Sequence, residues 1–271
     1  MRKAVAAFVL LFAVACVPAE RKAGEQTQAE SAAPSEHPAS EHPAIDPAAI
    51  AALERMGAYL RTLNAFEVRA VTTRDFVLTD TEQKVQFSGD GLYRIRRPNA
   101  FYLESNTDRR QRRLYYDGRT FTIYSPRLNV YAQRPAPATI TEMVDEMQDR
   151  YGIPVPLADL FYWGAEPVEN VQLASHIGFA RIDDQATDQY AFRQGDVDWQ
   201  IWIARGERPL PLKVLITTRT DPAQPQYASE LTWNLAPRFS NSTFAFRPPR
   251  NAHPIQIAEA DFAGSRLGQT P

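Results

Sequence analysis

The chain is poor in cysteine and histidine and carries almost no net charge, and each shortage removes a class of function. A single cysteine, Cys16, in 271 residues excludes an intramolecular disulfide. A formal net charge of −2 leaves no field to draw a polyanion, so nucleic acid is not an expected partner. There are four histidines, His37, His42, His176 and His253, spread along the chain. The sequence has no G-x-S-x-G elbow, no phosphate-binding P-loop and no H-E-x-x-H, and no cysteine nucleophile lies beyond residue 16. Asp196 and Asp198 bracket Val197 at the head of a strand, a pair that suits either acid–base work or a solvated hairpin end, and the second fits better. His176 lies in a strand pattern and reads as structural. The expectation is a protein without catalytic residues, without a metal and without a cofactor, hence not an enzyme.

Long hydrophobic runs are also scarce. The longest, Ala4 to Ala15, follows Arg2 and Lys3 and is too short to span a bilayer but right for a secretory signal. Ala13-Val14-Ala15 precedes Cys16, which reads as a lipobox: cleavage before Cys16 and a diacylglycerol on its thiol, the acyl chains giving firm anchorage. The competing reading is an ordinary signal peptide cut after Ala15 or after Ala19. Val17, rather than Asp, after the cysteine points to the outer membrane of a Gram-negative bacterium and thus to the periplasmic face of the envelope. Residues 16–45 are rich in Ala, Glu, Ser, Pro and Gln and cannot offset their chain entropy by burial, so they read as a tether. The repeat holding His37 and His42 belongs to that tether more readily than to a metal site. Residues 46–258 read as one domain and residues 259–271 as a tail.

Within the domain, Asp46-Pro47 opens a helix with Ile50, Leu53, Met56, Gly57, Leu60 and Leu63 on one stripe. Thr139 and Glu142 form a capping box ahead of a second helix striped by Ile140, Met143, Val144, Met147 and Tyr151. A short third helix or turn carries Leu157, Leu160, Phe161 and Trp163. The rest alternates with period two. "QKVQFSGDGLYRIRRP" reads as two strands with a bend at Gly89 and Gly91. "LYYDGRTFTIYSP" reads as a hairpin whose Asp117-Gly118 type I′ turn pairs Tyr116 with Arg119, Leu114 with Phe121 and Arg112 with Ile123. Val197, Trp199, Ile201 and Ile203 share a face, as do Leu212, Val214 and Ile216, and Tyr227, Leu231, Trp233 and Leu235.

The fold class is therefore mainly β (α+β), with about ten or eleven strands, two or three helices and no βαβ alternation, so the sheet is antiparallel. Such a sheet either closes into a sandwich or curls into an open half-barrel, and the mid-chain amphipathic helices favour the half-barrel with helices over its concave face. A concave interior larger than short helices fill makes an apolar ligand cavity the expectation. Candidate lining residues are Tyr116, Phe121, Met143, Met147, Phe161, Trp163, Trp199, Ile201, Leu231 and Trp233. The basic run Arg109, Arg110, Arg112 and Arg113 suits a solvated strand edge, an acidic partner or lipid headgroups.

The stretches "ALERMGAYLRTLNAF", "RDFVLTDTEQKVQF", "RRPNAFYLE", "LYYDGRTFTIYSPRLNVYA", "YGIPVPLADLFYW", "DVDWQIWIARGERPLPLKVLITT" and "STFAFRPP" resemble a domain-of-unknown-function family of predicted periplasmic proteins. That family is similar to the LolA/LolB lipoprotein localisation factors. The resemblance implies a strongly curved, unclosed antiparallel sheet covered by helices, and a cavity that receives the acyl chains of a lipid or lipoprotein. With its lipobox, the chain is more like membrane-anchored LolB than soluble LolA. The alternative expectation is an envelope sensor or scaffold that binds another protein through the same fold.

Overall fold

The computed structural model describes residues 44–153, 155, 157–163 and 170–257. Cys16, the tether with His37 and His42, and the tail after residue 258 lie outside the described residues.

Helix α1 (Pro47–Thr62) begins where the sequence places it. Asp46 is the N-cap and its carboxylate accepts from the Ala48 N–H at 2.8 Å, with proline in the first turn. Strands β1 (Ala65–Val77), β2 (Lys84–Arg96), β3 (Ala100–Thr107), β4 (Gln111–Tyr116), β5 (Thr120–Ser125) and β6 (Val130–Pro135) follow as a meander. Helix α2 (Ile140–Asp149) carries the reciprocal Thr139–Glu142 capping box, and α3 (Asp159–Tyr162) is a single turn. A second meander, β7 (Val171–Ile182), β8 (Gln185–Gln194), β9 (Val197–Ala204), β10 (Pro211–Thr218) and β11 (Gln226–Asn234), precedes β12 (His253–Pro254).

All twelve strands form one sheet in the order β12-β6-β5-β4-β3-β2-β1-β11-β10-β9-β8-β7. β1 joins the two meanders by pairing with both β2 and β11. The order does not return on itself, so the sheet stays open and mainly antiparallel. Each edge is met at one place by a short parallel segment. β12 pairs in parallel with β6. At the other edge Ile45 bridges Ala174 in parallel, with Asp46 N donating to the Ala174 carbonyl at 2.9 Å and Ala174 N donating to the Ala44 carbonyl at 3.0 Å.

Two expectations need correcting. The Asp117-Gly118 hairpin is not a two-residue turn: Tyr116 pairs with Phe121 and Leu114 with Ile123. The Asp117 carboxylate accepts from the N–H groups of Arg119 and Thr120, at 3.0 and 2.9 Å, and only Gly118 of the pair takes a positive φ. That side-chain turn lengthens the loop and moves the register by two residues. Because side chains alternate with period two, the inward face of Leu114, Tyr116, Phe121 and Ile123 survives the shift. Nor is there a bend at Gly89 and Gly91, since β2 runs through both. Their need for glycine is close approach. A Cβ at Gly89 would lie 2.7 Å from the Asn106 carbonyl oxygen, and one at Gly91 would lie 2.7 Å from the Tyr93 ring.

The twelfth strand belongs to a feature the sequence pattern did not disclose. Residues 236–257 cross the back of the sheet as a strap. Phe244 is buried with Ala100 and Tyr102, and Phe246 sits among Tyr115, Tyr124 and Tyr131 at ring separations of 5.3, 5.5 and 5.0 Å. The aromatic run of the β4–β5 hairpin is thus divided. Tyr116 and Phe121 face the helices, while Tyr115 and Tyr124 face the strap.

Candidate functional site: the concave face

The concave face is built from the alternate residues of both meanders and covered by two separate helical layers. Under α2 and α3 lies one core: Phe66, Val68, Tyr93, Phe101, Leu114 and Tyr116 from the sheet, with Met143, Met147 and Phe161 from the helices. Under α1 lies the other, where Ala52, Leu53, Met56 and Leu60 meet Tyr190, Phe192, Trp199, Ile201, Ile203 and Val214. Leu63, Trp163, Trp233 and Leu235 touch both cores and form the seam between them. Trp233 is fixed there by its indole N–H, which donates to the Pro211 carbonyl at 2.8 Å, and by its ring against Phe66 at 5.4 Å.

All ten candidate lining residues lie in this one layer. Tyr116, Phe121, Met143, Met147, Phe161 and Leu231 belong to the first core, Trp199 and Ile201 to the second, and Trp163 and Trp233 to the seam. They meet one another instead of an open cavity. Tyr116, Met143, Met147 and Ile201 have no accessible surface, so no water-sized void touches them. Among the described residues the thioethers of α2 pack on the aromatic rings beneath them, because alternation tells which face a residue takes and not what lies opposite it.

The cover over the first core is held lightly at its margins. The Ile140 N–H donates to the Pro98 carbonyl at 3.0 Å, and the Tyr116 hydroxyl donates to the Pro137 carbonyl at 2.7 Å. The Tyr162 hydroxyl donates to Asp145 at 2.6 Å and so ties α3 to α2. Burial, with the charges of Glu142 and Asp117 nearby, pushes the Tyr116 phenol up to about 12. Burial, with Tyr227 nearby, also pushes the Tyr93 phenol well above its ordinary value. Both therefore serve as neutral hydrogen-bonding and packing groups.

The groups weighed for chemistry have structural partners. Asp198 accepts from Arg193 at 2.6 and 2.8 Å, with Arg219 at 3.7 Å, and the Arg193 bonds hold its carboxyl below the usual range. Asp196 offers its backbone carbonyl to Arg219 N at 2.9 Å. His176 stacks on Tyr190 at 4.9 Å and lies 3.4 Å from Asp188. His253 lies in β12, on the far edge of the sheet. No group of three or more acidic, histidine or cysteine side chains suited to a metal occurs among the described residues, and no described helix is long and apolar enough to cross a membrane.

The basic run is dispersed by the β3–β4 turn. Arg113 pairs with Glu104 at 3.3 Å on the strap side, where the Tyr102 hydroxyl also donates to Glu104. Burial works against the Glu104 carboxylate, but Tyr102, Arg113 and Asn106 together hold it low. Arg109 lies over the Phe87 ring at 4.3 Å. A small polar cleft of about 230 Å³ lies elsewhere, beside Ala52, Arg55, Asp188, Tyr190, Ile203 and Arg205, and includes none of the ten candidates.

Among curated proteins no relative matches. Solved structures are similar to the chain at low identity. LprF from Mycobacterium bovis is 14% identical over 77% of this chain and 99% of its own, with a TM-score of 0.44. The lipoprotein LppX from Mycobacterium tuberculosis is 13% identical over 71% and 98%, with a TM-score of 0.43. A LolA superfamily protein from Nitrosomonas europaea is 10% identical over 73% and 97%, with a TM-score of 0.35. The family evidence is more direct: the family described as predicted periplasmic protein (DUF2092) matches residues 49–258, and the chain belongs to it.

Proposed function

We propose that the protein is a lipid- or lipoprotein-binding carrier or acceptor of the bacterial envelope, which takes an acyl chain between its concave sheet and the α2–α3 cover. The observation that carries this reading is the continuous apolar layer running from Phe121 to Ile201 beneath helices that are anchored mainly by side-chain packing. The filled interior is the ligand-free arrangement. An acyl chain entering at the Trp163–Trp233 seam exchanges apolar contacts for apolar contacts, which Met143 and Met147 accommodate because an unbranched thioether repacks readily. Burial of the chain at about 25 cal/mol per Å² of apolar surface drives uptake. The mechanism has no catalytic step and no cofactor. A lipid anchor on Cys16 would hold the domain, residues 46–258, near the outer membrane on the tether 16–45.

Native mass spectrometry of the purified chain, followed by extraction and identification of lipid, tests the reading. A stoichiometric acyl-chain ligand, lost in a folded Trp233→Glu variant, is the expected result. Absence of bound lipid together with no uptake of a fluorescent fatty acid overturns it. A second reading, an envelope protein partner, is favoured by the exposed Ile177 and Phe179 on the edge strand β7. Capture of a stoichiometric protein in place of lipid would select it.

A further inference from the structure

The turns β1–β2, β3–β4 and β5–β6 all lie at one end of the sheet, opposite the end where Pro98 meets α2. The strands of the second meander bring the β8–β9 and β10–β11 turns to the same end, where Lys84 Nζ donates to the Ala223 carbonyl at 3.2 Å. There the concave face runs out beyond the helices. Arg74 pairs across the sheet with Phe87. Its guanidinium lies over the Phe76 ring at 5.0 Å, Phe76 meets Phe87 edge to face at 5.3 Å, and Arg109 lies over Phe87 at 4.3 Å. Two arginines thus bracket a pair of phenylalanines. Arg112 follows further in on the same face, in one row with Ser105, Gly91 and Ala70.

Two features define this cluster. None of Arg74, Arg109 and Arg112 forms an ion pair with a described acidic residue, although Asp80, Glu82 and Asp108 sit in the adjoining turns. By contrast Arg94, Arg113, Arg193 and Arg205 are all paired. The apolar component is also exposed rather than folded in: Phe76 and Leu78 are 43% and 40% exposed, and Leu128, in the β5–β6 turn at the same end, is 72% exposed. Burial, with Arg110 beside it, lowers the Arg112 guanidinium, a cost that an incoming anion would relieve. The chain upstream of α1 reaches this end as well, since Ala44 and Asp46 bond to Ala174 near the start of β7.

We propose that the Arg74–Phe76–Phe87–Arg109 cluster, with Arg112 behind it, is a docking surface for a bilayer of anionic phospholipid. Arginines bind the headgroup phosphates while the phenylalanines enter the interface between headgroups and acyl chains. The inference adds a partner surface to the acyl-carrier reading above, but its electrostatics do not depend on that reading.

The test uses the chain from residue 16 onward with Cys16→Ser, so that neither the apolar Ala4–Ala15 run nor a lipid anchor contributes. Co-flotation is measured with vesicles of phosphatidylcholine alone and of phosphatidylcholine with phosphatidylglycerol, alongside uptake of a fluorescent fatty acid by the same proteins. Expected is retention on the anionic vesicles only, weakened by salt and lowered about thirtyfold in affinity by R74A/R109A. R74K/R109K keeps most of the binding, and melting is unchanged in both variants. Equal binding to the two vesicle types, or insensitivity to R74A/R109A, overturns the proposal. So does full competition by inorganic phosphate at constant ionic strength, which would mark a soluble-anion site. Fatty-acid uptake without anionic preference sinks this proposal alone. Anionic binding without uptake sinks the carrier reading alone.

Discussion

The hydroxyl of Tyr116, on the sheet, donates to the carbonyl of Pro137, in the segment leading to α2, at 2.7 Å. It is a polar tie between the concave face and the root of its cover, reached from a fully buried ring. Tyr116→Phe removes the donor and leaves the carbonyl without it, so stability falls by about 1 kcal/mol. If α2 and α3 lift to admit an acyl chain, the same change speeds uptake of a fluorescent fatty acid. Urea denaturation and stopped-flow uptake measure the two effects, and a stability loss with unchanged uptake would locate entry elsewhere.

The capping box offers a second handle on the same element. Thr139→Ala deletes the oxygen that accepts from the Glu142 N–H, at 3.3 Å, and leaves that first-turn donor without its partner. The expected loss is about 1 kcal/mol. Hydrogen exchange should concentrate that loss in α2 and leave β1 and β2 protected.

Alkaline pH should loosen the molecule through its buried phenols. Burial pushes the folded Tyr116 phenol up from its ordinary 10.0 to about 12, so below pH 10 both states keep the proton and its contribution is intact. Between pH 10 and about 12 the unfolded chain releases that proton while the folded chain retains it, so stability declines as pH rises. Tyr93, shifted in the same direction, adds to the decline. Thermal melts across this window should flatten in Tyr116→Phe. An identical slope in the variant would remove Tyr116 from the account.

The strap should be part of the folding unit. Phe244 is 1% exposed, lies under Arg96 at 4.7 Å and packs edge-on with Phe239 at 5.5 Å. Phe244→Ala should cost about 3 kcal/mol, the usual penalty for a buried aromatic ring. A variant with an unchanged melting temperature would show the strap to be merely draped.

What could be read in the sequence follows from range. Asp46-Pro47 and Thr139-x-x-Glu142 are local caps, and both helices start where those residues say. Alternation in Val197–Ile203 needs only a sheet with one apolar side, and that face is buried throughout. The hairpin register was not legible, because it turned on whether the Asp117 side chain or the backbone would close the loop. The strap was not legible either: Phe244 and Phe246 lie outside any longer alternating run, and the sheet residues they pack on are more than a hundred positions upstream. The candidate site was half legible. Its ten residues share one layer, as alternation requires, but their mutual packing depends on the volume of facing side chains, which no single-strand pattern records.

The two parallel bridges at the sheet margins have a consequence for biogenesis. An unclosed sheet offers a row of unsatisfied amides at each flank, and such rows recruit other chains. Here one flank is capped at Ala174 by residues just ahead of α1 and the other at Val130 and Tyr131 by His253 and Pro254. During synthesis the β6 flank therefore stays open at Val130 and Tyr131 until His253 and Pro254 have appeared. A chain shortened before residue 250 would be a seed for end-to-end polymers even if every helix and every inward-facing side chain were in place.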